Sequence, residues 1–117
     1  MARSHIARGS AYFPAASRME GGFTDRRGVA LNTLQDFLEG KAKYVSVAMD
    51  KHLPLKYGAT LRIKELEARL GKVIEFRVVD TGDAFDNKRY SRIDICVRNH
   101  AASLDPVING SLTLMFD

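Results

Sequence analysis

Alternation of apolar and polar residues predicts six short strands along this chain. A period of two is typical of a strand that buries one face and exposes the other. In residues 44–50, for example, the apolar face is formed by Val45, Val47 and Met49. The predicted strands are Ser10–Phe13, Tyr44–Asp50, Thr60–Lys64, Val73–Val79, Arg92–Val97 and Ser111–Phe116.

Capping residues predict one or two short helices between these strands. Thr33 can cap a helix with Asp36 in its first turn, and Gly40 is a good stop signal. Asn99 can cap a second short helix that ends before Pro106. Residues 65–71 fit either the continuation of a strand or a single helical turn.

The chain length predicts a single domain over residues 1–117. Residues 1–8 are predicted to form a loose arm, and residues 15–30, rich in Gly, Ser, Arg and Asp, a long loop. Alternating strands disfavour a doubly wound parallel sheet, whose strands are continuous apolar runs. A small closed β-barrel of the all-β class is expected instead, because closure removes exposed sheet edges.

Aspartates accompany three of the predicted strands. Asp94 lies in the middle of its strand, whereas Asp80 and Asp50 lie at strand ends. By parity, Asp80 is expected on the same face as Phe76 and Val78. An unpaired carboxylate is costly to bury, so Asp94 needs either a partner, such as a nearby arginine, or a function. Asp50 and Asp80 also suit turns, where aspartate is common.

Three ordered motifs resemble the three-aspartate domain. They are Val47-Ala-Met-Asp50 before a Leu-Pro turn, Val78-Val-Asp80-Thr-Gly82, and Arg92-Ile-Asp94-Ile. This domain occurs in membrane-bound lytic transglycosylase A and in stationary-phase survival proteins of spore-forming bacteria. The region 44–116 is also similar to rare lipoprotein A and to the barwin and expansin group. The resemblance implies a six-stranded double-psi β-barrel.

The resemblance further implies cleavage of a β-1,4 glycan, peptidoglycan above all. In lytic transglycosylases of this kind one aspartate acts as acid and then as base, and the product is a 1,6-anhydromuramoyl end. The residue that matches this aspartate is Asp94, with Asp80 and Asp50 as supporting acids. The candidate substrate contacts are Thr81, Asp83, Tyr12 and Tyr57.

The chain departs from the family pattern after Gly82. The family usually has a second glycine where this chain has Asp83, and its next loop is shorter than the one that reaches Ser91 here. Asp83 therefore either adds a fourth carboxylate near the site or points outward from a differently shaped loop.

The chemistry of the residues agrees with glycan cleavage. A glycosidic oxygen is a poor leaving group and needs a proton donor. Burial and neighbouring carboxylates raise the pKa of an aspartate and keep it protonated near neutral pH. A transglycosylase needs one such acid, whereas a hydrolase needs two at a defined separation. Three acids permit either reaction.

The net charge of +4 favours polyanionic partners. The basic residues are scattered and not interleaved with aromatic residues, which does not favour nucleic acid as a partner. The resemblance implies peptidoglycan or a related glycan as partner, and the positive charge suits an anionic wall polymer. The alternative function is a non-catalytic module, similar to barwin or expansin, that binds cell-wall carbohydrate or inhibits a protein partner.

Other kinds of site are not expected from the sequence. Cys96 is the single cysteine, which excludes an intrachain disulfide. Asp80, Asp83 and Asp86 recur at every third residue and not at the alternate positions of a calcium loop, so we predict no metal and no cofactor. No apolar run is long enough to span a membrane, and a monomer is expected. The resemblance implies the cell envelope or secretion, but residues 1–10 lack the apolar core of a signal peptide, so localisation is left open.

Overall fold

The computed structural model describes residues 3–14, 23–81 and 85–116, and it shows a mainly β protein. The predicted number of strands is confirmed. Their bounds are β1 Arg3–Tyr12, β2 Val45–Met49, β3 Ala59–Ile63, β4 Phe76–Thr81, β5 Arg92–Cys96 and β6 Ser111–Phe116. Half of the predicted 15–30 loop lies outside the described residues, and residues 23–30 contain an isolated bridge between Thr24 and Ala30.

Short helices occupy three of the connections. They are α1 Leu34–Leu38, α2 Lys64–Leu70 and α3 His100–Ser103, with an additional 3₁₀ turn at Arg89–Ser91. Both predicted caps are confirmed. The amide of Asp36 donates to Oγ1 of Thr33 at 3.0 Å, and the amide of Ala102 donates to Oδ1 of Asn99 at 2.9 Å.

Helix α2 corrects the expectation of one or two helices. Residues 65–71, which fitted a strand or a helical turn, form this third helix. Its residue Leu66 is buried in the core. The negative charges of Glu65 and Glu67 lie in the first turn, where the positive end of the helix dipole stabilises them. Gly71 adopts the left-handed conformation, with φ of 69°, and ends the helix.

The six strands pair in a closed ring in the order β1-β5-β2-β4-β3-β6, and β6 pairs again with β1. The β1–β5 and β2–β4 pairs are parallel, whereas the other four pairs are antiparallel. Exchanging β1, β2 and β3 with β4, β5 and β6 reproduces every pair and its direction. The chain is therefore built as two topologically equivalent halves.

The interior of the ring is apolar, as the alternating pattern predicts. Its fully buried side chains include Val45, Val47, Met49, Phe76, Ile93, Ile95, Leu112 and Leu114. Strand β2 is buried on both faces, because connecting segments cover its outer face. The amide of Asn32, for example, donates to Oγ of Ser46 at 2.9 Å.

The loose arm predicted at residues 1–8 is wrong from Arg3 onward. Strand β1 begins there, pairs with β6 and then also with β5, and its His5 ring stacks on Tyr90 with the ring centroids 3.9 Å apart. The sequence pattern hides this strand because its inward residues, Ala7 and Gly9, are small. Small residues are needed there, since Gly9 lies against the backbone of the chain before β6.

Strand β4 corrects the predicted position of Asp80. The strand begins at Phe76 and not at Val73, and a β-bulge shifts the register beside β2. Val47 pairs with Val78, but the next residue of β2 pairs with Asp80, which leaves Val79 as the extra residue. Asp80 therefore faces away from the core side occupied by Phe76 and Val78.

Candidate functional site

Asp80 and Asp94 lie in one row across the outer face of the sheet. Both are partners of Ala48 in β2: Asp94 is its antiparallel partner in β5, and Asp80 is its parallel partner in β4. Neighbouring strands lie about 4.8 Å apart, so the Cα atoms of the two aspartates are separated by about 10 Å. Between them in the row lies Ala48, whose side chain is buried under the segments that cover the outer face of β2.

Ser10 extends this row to a fourth strand. It is the register partner of Asp94 in β1, and its hydroxyl donates to Oδ1 of Asp94 at 3.1 Å. The same hydroxyl lies 3.4 Å from the carbonyl oxygen of Ile93. The row Ser10–Asp94–Ala48–Asp80, which we call the acid row, is thus built from both halves of the fold.

Asp80 has a raised pKa. Partial burial is the largest cause, and the negative charge of Asp25 acts in the same direction. A hydrogen bond from the Thr81 amide to Oδ1, at 3.0 Å, and the positive charge of Arg26 oppose the shift. The protonated form of Asp80 therefore persists to higher pH than in an exposed aspartate, which suits a group that must hold or donate a proton.

Asp25 is the acid that the sequence analysis missed. It is 6% exposed, and Oδ1 accepts hydrogen bonds from the amides of Arg27, at 2.8 Å, and Val29, at 3.1 Å. Its Oδ2 accepts a short hydrogen bond from the hydroxyl of Tyr57. The sequence signal that could have identified it is the Asp-Arg-Arg-Gly turn, because an aspartate side chain in a turn commonly accepts hydrogen bonds from backbone amides two or more residues ahead. Its approach to the acid row depends on tertiary structure.

Tyr12 and Cys96 lie two residues beyond Ser10 and Asp94 on the same pair of strands. The two residues are register partners on β1 and β5, and the Tyr12 hydroxyl is shielded from solvent. Burial raises the pKa of Tyr12 well above its usual value, with further contributions from Cys96, Asp80 and Asp94. Burial likewise raises the pKa of Cys96 to about 12. A thiol with that pKa is not a nucleophile near neutral pH.

The ring of Tyr57, a predicted substrate contact, is covered by arginine. The Arg27 guanidinium lies 4.3 Å from the ring centroid, and that of Arg26 lies 5.4 Å from it. Burial and the hydrogen bond to Asp25 raise the pKa of Tyr57 to about 12. The hydroxyl and the ring of Tyr57 thus both contact the loop that carries Asp25.

Asp50 lies beyond the acid row, at the end of β2. It is 3% exposed, and its oxygens accept the amides of His52, at 2.9 Å, and Arg89, at 2.8 Å. These hydrogen bonds, that from His52 first, lower its pKa. The carboxylate thus joins the turn after β2 to the segment before β5, which is a structural use of this predicted site residue.

Two further predicted contacts, Thr81 and Asp83, follow Asp80 in the sequence. Thr81 ends β4 as the register partner of Met49 and is partly buried. Asp83 lies outside the described residues. No helix within the described ranges is long and apolar enough to cross a membrane.

Comparisons with known proteins add no assignment, because no family model matches the chain and no curated protein matches it significantly.

Proposed function

We propose that this chain is a peptidoglycan-active lytic enzyme on a double-psi β-barrel, with Asp94 as general acid and base. The observation that carries the proposal is the register of Asp94 and Asp80 on either side of Ala48. A pair of carboxyl groups that flank the scissile bond is the usual requirement for glycosidic bond cleavage.

The topology supports the barrel assignment. A double-psi β-barrel consists of two interlocked halves, and in each half the connection between the first two strands crosses a strand of the other half. Here β1 reaches β2 across β5, and β4 reaches β5 across β2, in equivalent positions of the two halves.

The proposed reaction needs one carboxyl group. The Asp94 carboxyl donates its proton to the glycosidic oxygen as the bond from that oxygen to C1 of the muramoyl residue breaks. The resulting carboxylate then removes the proton of the C6 hydroxyl of the same sugar, and O6 forms the new bond to C1. The products are a free hydroxyl on the leaving sugar and a 1,6-anhydromuramoyl end, and Asp94 is protonated again.

The two remaining acids have different supporting roles. Asp80, which stays protonated to higher pH than usual, limits the negative charge opposite Asp94. Asp50 acts as a positioning residue, because both of its oxygens hold backbone amides at the rim of the acid row. Asp25 adds a third charge near Asp80 and so takes the place that the sequence suggested for Asp50.

Digestion of purified peptidoglycan, followed by mass spectrometry of the soluble products, tests this function. We expect 1,6-anhydromuramoyl ends from the wild type. Reducing ends in their place would assign hydrolysis, with water held between the two carboxylates. Loss of products with Asp80→Asn but not with Asp94→Asn would exchange the roles of the two acids.

A non-catalytic wall-binding module is the second candidate, and the loop over the acid row favours it. Phe23 is 59% exposed at the base of the Asp25 turn, which also carries Arg26 and Arg27. An exposed aromatic ring beside two cations suits adsorption to an anionic glycan. Sedimentation of the chain with insoluble peptidoglycan, without release of soluble products, would select this candidate.

A further inference from the structure

Three potential metal ligands converge outside the acid row. A carboxylate oxygen of Asp50, an imidazole nitrogen of His52 and a carboxylate oxygen of Asp86 all lie within 4.8 Å of one another. Ligand atoms around a bound zinc ion are about 3 to 4 Å apart, because each lies about 2 Å from the metal. Small side-chain rotations are therefore enough to bring the three atoms to coordination distance.

Asp86 supplies a second observation that is independent of the ligand spacing. Its Oδ1 is shielded from solvent and has no hydrogen-bond partner among the described residues. Its other oxygen, Oδ2, lies 3.8 Å from Nζ of Lys51, which is too long for a hydrogen bond. A shielded carboxylate oxygen without a donor is destabilising unless a cation or a proton meets it.

The backbone holds the three ligands on two segments that meet at Asp50. This carboxylate is anchored through the amides of His52 and Arg89, while each oxygen retains a second lone pair. His52 lies in the turn after β2 and Asp86 in the segment before β5, so the fold itself brings the ligands together. The anchoring of Asp50 consists of backbone amides and does not depend on a bound ion.

We infer that Asp50, His52 and Asp86 form a binding site for a divalent transition-metal ion, with Zn²⁺ as the probe that fits best. One imidazole and two carboxylates suit Zn²⁺ and, with lower affinity, Mn²⁺, whereas Ca²⁺ prefers an all-oxygen set of six or more ligands. Three protein ligands leave a coordination position for water, and the exposed His52 side makes it accessible. The ion fastens the turn after β2 to the segment before β5.

Isothermal titration of the whole chain with ZnCl₂ measures the site directly and needs no glycan, so its result is independent of the proposed function. We expect one equivalent to bind to the wild type. His52→Gln and Asp86→Asn each remove a ligand and should weaken binding at least about 10-fold. His100→Gln removes an exposed histidine at the start of α3 and should leave binding unchanged, as a control for nonspecific imidazole binding.

Lys51 provides a variant with the opposite expected effect. Its ammonium group competes with the metal for Asp86, so Lys51→Gln should bind Zn²⁺ several-fold more tightly than the wild type. The expected order of affinities is Zn²⁺, then Mn²⁺, then Ca²⁺. Absence of Zn²⁺ binding by the wild type, equal binding by His52→Gln, or preference for Ca²⁺ would overturn the inference. Circular dichroism of each variant confirms that a loss of binding is not a loss of fold.

Discussion

Gly9 provides the strongest test of how the ring of strands closes. It lies in β1 beside Ser10, pairs with Ile93 of β5, and donates its amide to the Gly110 carbonyl at 2.9 Å. A Cβ atom at this position would lie 1.9 Å from the carbonyl oxygen of Ile108 and 2.6 Å from a methyl group of Leu112. The Gly9→Ala substitution must therefore push β1 away from the segment that leads into β6.

The loss of stability caused by Gly9→Ala can be worked out from these contacts. Overpacking costs up to about 3 kcal/mol, and the upper value applies because the Ile108 carbonyl belongs to the backbone and cannot rotate away. Loss of the amide hydrogen bond adds about 1 kcal/mol. Reduced freedom of the unfolded chain returns about 0.7 kcal/mol. We expect the free energy of unfolding to fall by about 3 kcal/mol.

Urea denaturation followed by circular dichroism measures this change in the free energy of unfolding, and thermal unfolding measures the corresponding change in Tm. With an unfolding entropy of about 0.25 kcal/mol/K for a chain of this length, Tm should fall by about 12 °C. Gly58→Ala is the control: nothing lies within 4 Å of its Cβ, but its φ of 83° should cost about 1 kcal/mol. A Gly9→Ala protein no less stable than the Gly58→Ala protein would refute the placement of β1 in the ring.

Three further predictions concern titratable groups near the acid row. The raised pKa of Asp80 contributes stability that is fully present below the unfolded pKa and is lost as pH rises through the folded pKa. Asp80→Asn should therefore gain stability relative to wild type as pH rises from 4 to 7. A difference in the free energy of urea unfolding that does not change with pH would contradict this. Ultraviolet titration should show Tyr57 ionising near pH 12, and Asp25→Asn should lower that value; an unchanged titration would exclude their hydrogen bond. The Cys96 thiol, buried and with a pKa of about 12, should react with a thiol reagent at pH 8 only in denaturant, and rapid reaction of the folded protein would show that β5 is accessible.

Much of the strand pattern could be predicted because apolar alternation is local. Residues 44–50 and 111–116 read directly as strands, and the Thr33 and Asn99 caps identified two helices. Strand β1 escaped detection since its inward positions hold Ala7 and Gly9. At Gly9 the small size is explained by the close approach of the Ile108 backbone, about a hundred residues away in sequence.

The acid row could be predicted only in part, because its geometry also depends on contacts between residues far apart in sequence. Asp94 and Asp80 were identified, but a bulge at Val79 changes the face of Asp80, and a one-residue insertion in the pairing leaves no mark in the alternation of β4. Asp25 was missed because its neighbours in space are set by a loop. Asp50 was identified as a supporting acid or a turn residue, yet its use in holding the Arg89 amide depends on a contact 39 residues away.

The rate at which Asp94→Asn releases 1,6-anhydromuropeptides from purified peptidoglycan tests the central claim most directly. Removing a general acid typically costs about 10²- to 10⁴-fold, so we predict a rate lowered by that factor with wall sedimentation retained. Glu39→Gln, which changes a surface carboxylate paired with Lys41 and Arg98, is the matched control and should keep the wild-type rate. An Asp94→Asn protein as active as wild type, or a wild type that sediments with the wall and releases nothing, would contradict the account.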